Sequence, residues 1–207
     1  MTTGGSLRAA RIESMRNAIG RVSSVVKGFK IEAVGDRILM TPRSSVQSWT
    51  VFDVQTAIVA CGVGRQRVLS DVEFGFPGEP DRCPDVAITE DGATAPYSHE
   101  DLLAAIEIVS SRNDKNDYAV KRWQYARFGV PAYLTIDPFR GACDLLTNPR
   151  DDAYASRRTY KYGDTVPLSL RDGAGIEIPT ASFKLLQAPE PSPPPARPPF
   201  PPDLRSP

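Results

Sequence analysis

Leu102-Leu103-Ala104-Ala105-Ile106-Glu107-Ile108-Val109-Ser110 is the stretch on which the reading of this chain turns. It is a nearly continuous apolar run, the pattern of a strand covered on both faces. One glutamate stands inside it. An ionised carboxylate buried without a partner is costly, so Glu107 is expected to be paired, protonated or bound to a metal. Asp85 poses the same question, because it follows Pro84 and opens the apolar run Val86-Ala87-Ile88.

Outward from these strands the chain alternates helical and extended patterns. Upstream, Leu7 to Val26 carries Ile12, Met15, Ile19 and Val22 at helical spacing, and Gly28 ends it. Phe29 to Val34 alternates as a strand, Gly35-Asp36 makes a tight turn, and Arg37 to Met40 forms a second strand. Ser45 to Cys61 reads as a helix on the recurrence of Trp49, Phe52, Val54, Ala57, Ile58 and Cys61. Gln66 to Phe76 reads as a strand. Downstream, a helix is expected from about Asp114 to Phe128 and a strand over Ala132 to Ile136. Short strands follow to about Gln187, with turns at Asn148-Pro149, Gly163-Asp164 and Asp172-Gly173. Mixed strands with flanking helices predict an α/β (α+β) sheet domain. The expected division is an N-terminal helical extension over 1–28, the sheet domain over 29–187 and a tail over 188–207.

The two acids define the candidate chemistry. On neighbouring strands their carboxylates can meet at one point, within about 5 Å of each other, as hard oxygen ligands of Mg²⁺ or Mn²⁺. Each also has a plainer reading: Asp85 capping a turn at a strand start, Glu107 pairing with an arginine across the sheet. Without a metal the two acids are expected to repel, so that Glu107→Gln leaves folding intact or improves it. The following helix supplies a cation in Lys121, four residues after Asp117 and on the same face. A solvated surface pair is the plainer reading of those two.

The 207 residues suffice for one domain with a full core, and 41% hydrophobic with 24% charged residues is a globular composition. No run approaches the roughly 18 apolar residues of a membrane span. Met1 to Ser6 lacks a basic region followed by an apolar one, so no secretory signal and no membrane association are expected. Cys61, Cys83 and Cys143 are odd in number and far apart, which argues against disulfides and zinc and for reduced thiols in a cytoplasm. Lysine plus arginine equals aspartate plus glutamate at 25 each, which lowers the expectation of a plain DNA-coating module without excluding a local basic groove. Ten of the twenty prolines fall in Ala188 to Pro207, a composition expected to give a disordered, partly polyproline tail. Pro193 to Pro202 could dock on an aromatic-lined protein partner; a solubilising tail is the plainer reading.

The ordered set Pro84-Asp85-Val86, Ile106-Glu107-Ile108-Val109-Ser110, Asn116-Asp117-Tyr118-Ala119-Val120-Lys121, Tyr125 to Leu134 and Asp137-Pro138 resembles the Uma-two family of restriction-endonuclease-like proteins. That family is a branch of the PD-(D/E)XK nuclease superfamily. Glu32, Gly35 and Met40-Thr41-Pro42 look like its opening hairpin, and Gly163 to Val166 resembles its late strand region. The resemblance covers roughly residues 29 to 185. It implies a mixed central sheet flanked by helices and a metal-dependent endonuclease acting on nucleic acid, with DNA the expected substrate. A homodimer is a further possible partner assembly, which the sequence leaves open.

Carried over by position, Asp85 and Glu107 take the two acid places of the motif, with the backbone carbonyl of Ile108 as a third ligand of Mg²⁺ or Mn²⁺. The motif's lysine usually lies two residues after the second acid, where this chain has Val109. Lys121 on the next helix takes its role, with Asp117 holding it and Glu32 as an accessory acid. Arg112, Lys115 and Arg122 are candidate phosphate contacts, or else a solvated face. One departure stands out: relatives often carry a histidine where this chain has Ser45-Val46-Gln47, and its single histidine is His99. The alternative reading is therefore an inactive nuclease-fold module that binds nucleic acid or protein. A different metal-dependent hydrolase is a third class. No G-x-S-x-G, Walker-type or H-E-x-x-H motif is present.

Overall fold

The apolar stretch becomes β7 (Leu102–Ile108), every residue of which is buried. In a computed structural model of the chain, residues 3–26, 29–34, 37–111 and 116–186 are described. The expected turn at Gly35-Asp36, the helix stop at Gly28, Arg112, Lys115, the expected N-cap at Asp114, the side chain of Asp117 and the tail 188–207 lie outside them. Strand β7 lies inside a six-stranded sheet with β3 (Val68–Leu69), β5 (Val86–Thr89), β8 (Ala132–Asp137), β9 (Ala142–Arg150) and β10 (Ala153–Lys161). Their spatial order is β10-β9-β8-β7-β5-β3. All neighbours run antiparallel except β7 and β8, which pair in parallel. A parallel pair needs a crossover, and the chain supplies it with a π-type turn over Asn116–Val120 leading into α3 (Lys121–Arg127).

Each face of this sheet has its own core. Ile106 and Ile108 of β7 join Leu134, Ile136, Val86 and Ile88 beneath α2 (Ser45–Ala60) and the two-stranded pair β11 (Thr165–Ser169) and β12 (Gly175–Pro179). Ala105 points the other way, with Ala87 and Tyr133, against Tyr125 of α3, Phe74 and Phe76. This is the two-residue alternation of extended chain, buried on both sides. Shortening Leu134 to alanine would remove contacts worth about 2–5 kcal/mol.

The N-terminal third forms separate layers. Helix α1 (Thr3–Val25) packs Ile19 inward and ties Arg16 to Asp81 at 2.5 Å. Among the described residues, strands β1 (Phe29–Val34) and β2 (Arg37–Pro42) pair only with each other, Ile31 opposite Met40. Helix α2 begins with a capping box between Ser44 and Gln47. Its buried face is Gln47, Thr50, Val54 and Ile58, whereas Trp49 and Phe52 point outward. Apolar recurrence thus located the helix but not its inner face.

Two expectations are corrected. Gln66 to Phe76 is not one strand: a 3-10 turn over Arg65–Arg67 leads to β3, and β4 (Phe74–Gly75) leaves the main sheet to pair with β6 (Tyr97–Ser98). Between them Asp71 takes φ 59°, and the Phe74 backbone exchanges hydrogen bonds with Arg82 instead. The turn expected at Asn148-Pro149 falls at Asp151-Asp152, both at positive φ, the geometry a two-residue hairpin demands.

Candidate active site

Strands β5 and β7 bring the acids together. Val86 lies opposite Ile106 and Ala87 opposite Ala105, so one further step sets Asp85 opposite Glu107. Both acids share the parity of Ala87 and Ala105, and therefore the face covered by α3. Ile108 N–H donates to Asp85 Oδ2 at 2.8 Å, which fixes the first carboxylate against the second strand. The approach to Asp85 is stapled as well. Buried Arg82 donates from Nε to Gln124 Oε1, and Gln124 Nε2 donates to the Pro80 carbonyl, both at 2.7 Å.

Helix α3 contributes two groups to the same spot. Lys121, at its first residue, is 1% exposed and turns inward, with Nζ 2.9 Å from Glu107 Oε2 and 3.0 Å from Glu32 Oε1. The contact with Glu32 is ionic, without hydrogen-bond alignment. Tyr125, one helical turn on, donates its hydroxyl to Glu107 Oε1 at 3.1 Å. Glu32 arrives from β1, and with it comes a residue the motif reading passed over. Lys30 Nζ donates to Asp85 Oδ1 at 2.8 Å and to Glu107 Oε2 at 2.7 Å. The signal for Lys30 was present: two residues before Glu32 on an alternating strand, it must share that residue's face.

The geometry corrects one expectation. Asp85 and Glu107 do not face each other unneutralised, because an ammonium bridges them. The partners of Glu107 are lysines and a tyrosine rather than an arginine across the sheet. Burial alone would raise the Glu107 carboxyl, but Lys121 and Lys30 outweigh it and hold it down at about 2. Burial opposes the charge on Lys30, yet Asp85 and Glu107 raise it well above the ordinary lysine range. Burial, with the Glu107 charge beside it, pushes the Tyr125 phenol far upward, so it stays a donor. Cys83, close to the cluster, is pushed up to about 12 by burial and remains a thiol.

Other candidates fall elsewhere. Arg122 is exposed on α3, next in sequence to the buried Lys121. His99 packs against Phe76 and Phe128, with ring centroids 5.7 and 4.9 Å away. Among the described residues no three His, Cys, Asp or Glu side chains gather as a ready-made metal-ligand set. Two convergent carboxylate oxygens nevertheless suit Mg²⁺, which keeps several waters and often takes only one or two carboxylates. Their common point already holds a cationic centre, the Lys30 ammonium, so the donor set fits a cation. A groove lined by Phe29, Lys30, Arg43, Asp71, Glu73 and Cys83 runs past Lys30.

The family described as "Putative restriction endonuclease", Uma2, matches residues 27–181. The chain belongs to the Uma2 family. Its matched region takes in β1 and every residue of the charged cluster, and leaves α1 outside. Among solved structures, one described as "a putative nuclease belonging to DUF820", from Anabaena variabilis ATCC 29413, is similar at 16% identity. The likeness covers 67% of this chain and 80% of that one, with a TM-score of 0.47. No curated protein matches the chain. No helix among the described residues is long and apolar enough to cross a membrane.

Proposed function

We propose that this Uma2 protein is a metal-dependent endonuclease that hydrolyses phosphodiester bonds in nucleic acid, with DNA as the expected substrate. The observation that carries the reading is the convergence of Asp85 Oδ1 and Glu107 Oε2 on one cationic position, with the buried Lys121 ammonium beside it. Asp85 and Glu107 serve as carboxylate ligands, and the Ile108 carbonyl completes the protein's share. Mg²⁺ or Mn²⁺, when bound, supplies a polarised phosphate and a water of lowered pKa.

The remaining steps belong to the chain's own groups. Lys121 presents a fixed positive charge where negative charge builds on the phosphate, and orients the attacking water. Glu32 holds that ammonium from the far side. Tyr125 fixes the rotamer of Glu107, and the Ile108 N–H fixes that of Asp85, so both carboxylates are preorganised. Asp117 and the cations Arg112, Lys115 and Arg122 are assigned supporting and phosphate-contacting roles.

The test is cleavage of a panel of single- and double-stranded DNA and RNA with Mg²⁺, with Mn²⁺ and with chelator. Metal-dependent cuts that vanish in Asp85→Asn support the reading. Cleavage that survives in that variant, or none on any substrate, overturns it. A second reading, an inactive nuclease-fold binding module, is favoured by one feature: Ser45-Val46-Gln47 stands where relatives often carry a histidine. It predicts nucleic-acid or protein binding without turnover.

A further inference from the structure

Lys30 stands between the two oxygens that the proposed function gives to a metal, and its side chain is only 9% exposed. A divalent ion and the Lys30 ammonium cannot both occupy the one position that bridges Asp85 Oδ1 and Glu107 Oε2, and their like charges would add to the repulsion that Lys121 already exerts there. The two lysines of the cluster differ in how they are held. Lys121 sits on a helix that crosses between two strands of the main sheet, and it also neutralises Glu32. Lys30 sits on β1, whose only strand partner among the described residues is β2. It borders the groove, whose wall includes the exposed acid Glu73. A long flexible lysine stem can swing into that groove and leave its ammonium near a carboxylate.

We propose that Lys30 is an internal counter-ion occupying the metal's seat, and that a divalent cation enters by exchange with its ammonium. Residue 30 then sets the metal affinity, and the metal-free fold is spared a repelling pair of buried acids. The inference rests on the reading of Asp85 and Glu107 as ligands.

The experiment titrates Mn²⁺ into the full chain and into Lys30→Met and Lys30→Gln by calorimetry. Both variants are expected to bind at least tenfold more tightly than the wild type. They are also expected to melt lower in chelator and to regain stability with Mn²⁺, whereas the wild-type melting temperature barely responds. In the wild type itself, acetylation of Lys30 by an amine reagent, read by peptide mass spectrometry, is expected to be slow in chelator. With saturating Mn²⁺ it should quicken at least tenfold while Lys121 stays protected. This measurement decides alone if the variants do not fold. Affinities that match across the three chains, or a Lys30 that stays protected with Mn²⁺ bound, overturn the exchange. If that equal binding is lost in Asp85→Asn, the ligand reading still stands. No Mn²⁺ binding by any chain overturns both.

Discussion

Lys30 and Lys121, from strands and helices more than half the domain apart in sequence, place their ammonium groups on the same oxygen, Glu107 Oε2, at 2.7 and 2.9 Å. A carboxylate one residue from the end of a fully buried strand is thereby charged and stable without a metal. The arrangement makes Glu107 the hinge of both the stability and the chemistry of the site.

Glu107→Gln is therefore expected to destabilise the metal-free protein. It strips two buried ammonium groups of their shared anion, and breaking such a pair costs about 3–5 kcal/mol. For a chain of this size that is a fall in Tm on the order of 10 °C. Calorimetric melting in chelator measures it; an unchanged or higher Tm would mean that the lysines find other partners.

The same carboxyl predicts an acid limb. Its folded pKa is depressed to about 2 from 4.5, so its contribution is fully present above pH 4.5 and drains away as the pH falls toward 2. Tm plotted against pH should drop more steeply across that window in the wild type than in Glu107→Gln. Parallel curves would remove Glu107 from the account. Lys30 acts at the other end: raised above 10.5, it contributes fully below that pH and is lost only as the pH climbs through its higher folded value.

Lys121→Met tests the cation beside the reacting phosphate. On any substrate the wild type cuts with saturating Mg²⁺, the rate should fall by about two orders of magnitude or more. Because Lys121 is buried between Glu32 and Glu107, its loss should also lower Tm, so rates are compared at a temperature where circular dichroism shows both proteins folded. A rate within about threefold of wild type would assign the role to another group.

Tyr125→Phe removes one donor to Glu107 Oε1 and little volume. A hydrogen bond to a charged acceptor is worth about 1.5–3 kcal/mol, and a loss of that size is expected in urea unfolding. No measurable change would show that water replaces the hydroxyl.

Arg82→Ala removes the Arg82 half of the staple, leaving Gln124 Oε1 buried without the Arg82 donor while Gln124 Nε2 still reaches the Pro80 carbonyl. Hydrogen exchange should quicken around residues 80–85 before it does elsewhere. Uniform protection would place the positioning of Asp85 in the β5–β7 register alone.

Some of this was fixed by residue order. The apolar run Leu102 to Val109 carried the pattern of a strand buried on both faces, and one acid inside it announced an unusual site. The sequence of Asp85, Glu107 and Lys121 along the chain carried the family resemblance. Local pattern also placed α2, β5, β7 and β8, because hydrophobic periodicity records how the backbone alternates or turns.

Tertiary structure decided what the periodicity could not contain. Trp49 and Phe52 match helical spacing as well as Val54 and Ile58 do, and only the position of the sheet selects the inner face. Residues 66–76 looked extended throughout, yet the backbone of Phe74 pairs with Arg82 and β4 with β6, partners that local propensity does not name. The charge state of the site was the largest omission. Lys30 lies 55 residues from Asp85 and 77 from Glu107, and its role comes from the packing of a two-stranded hairpin against another sheet. Electrostatic neutralisation depends on distance in space, and spacing along the chain constrains it only within one helix or strand.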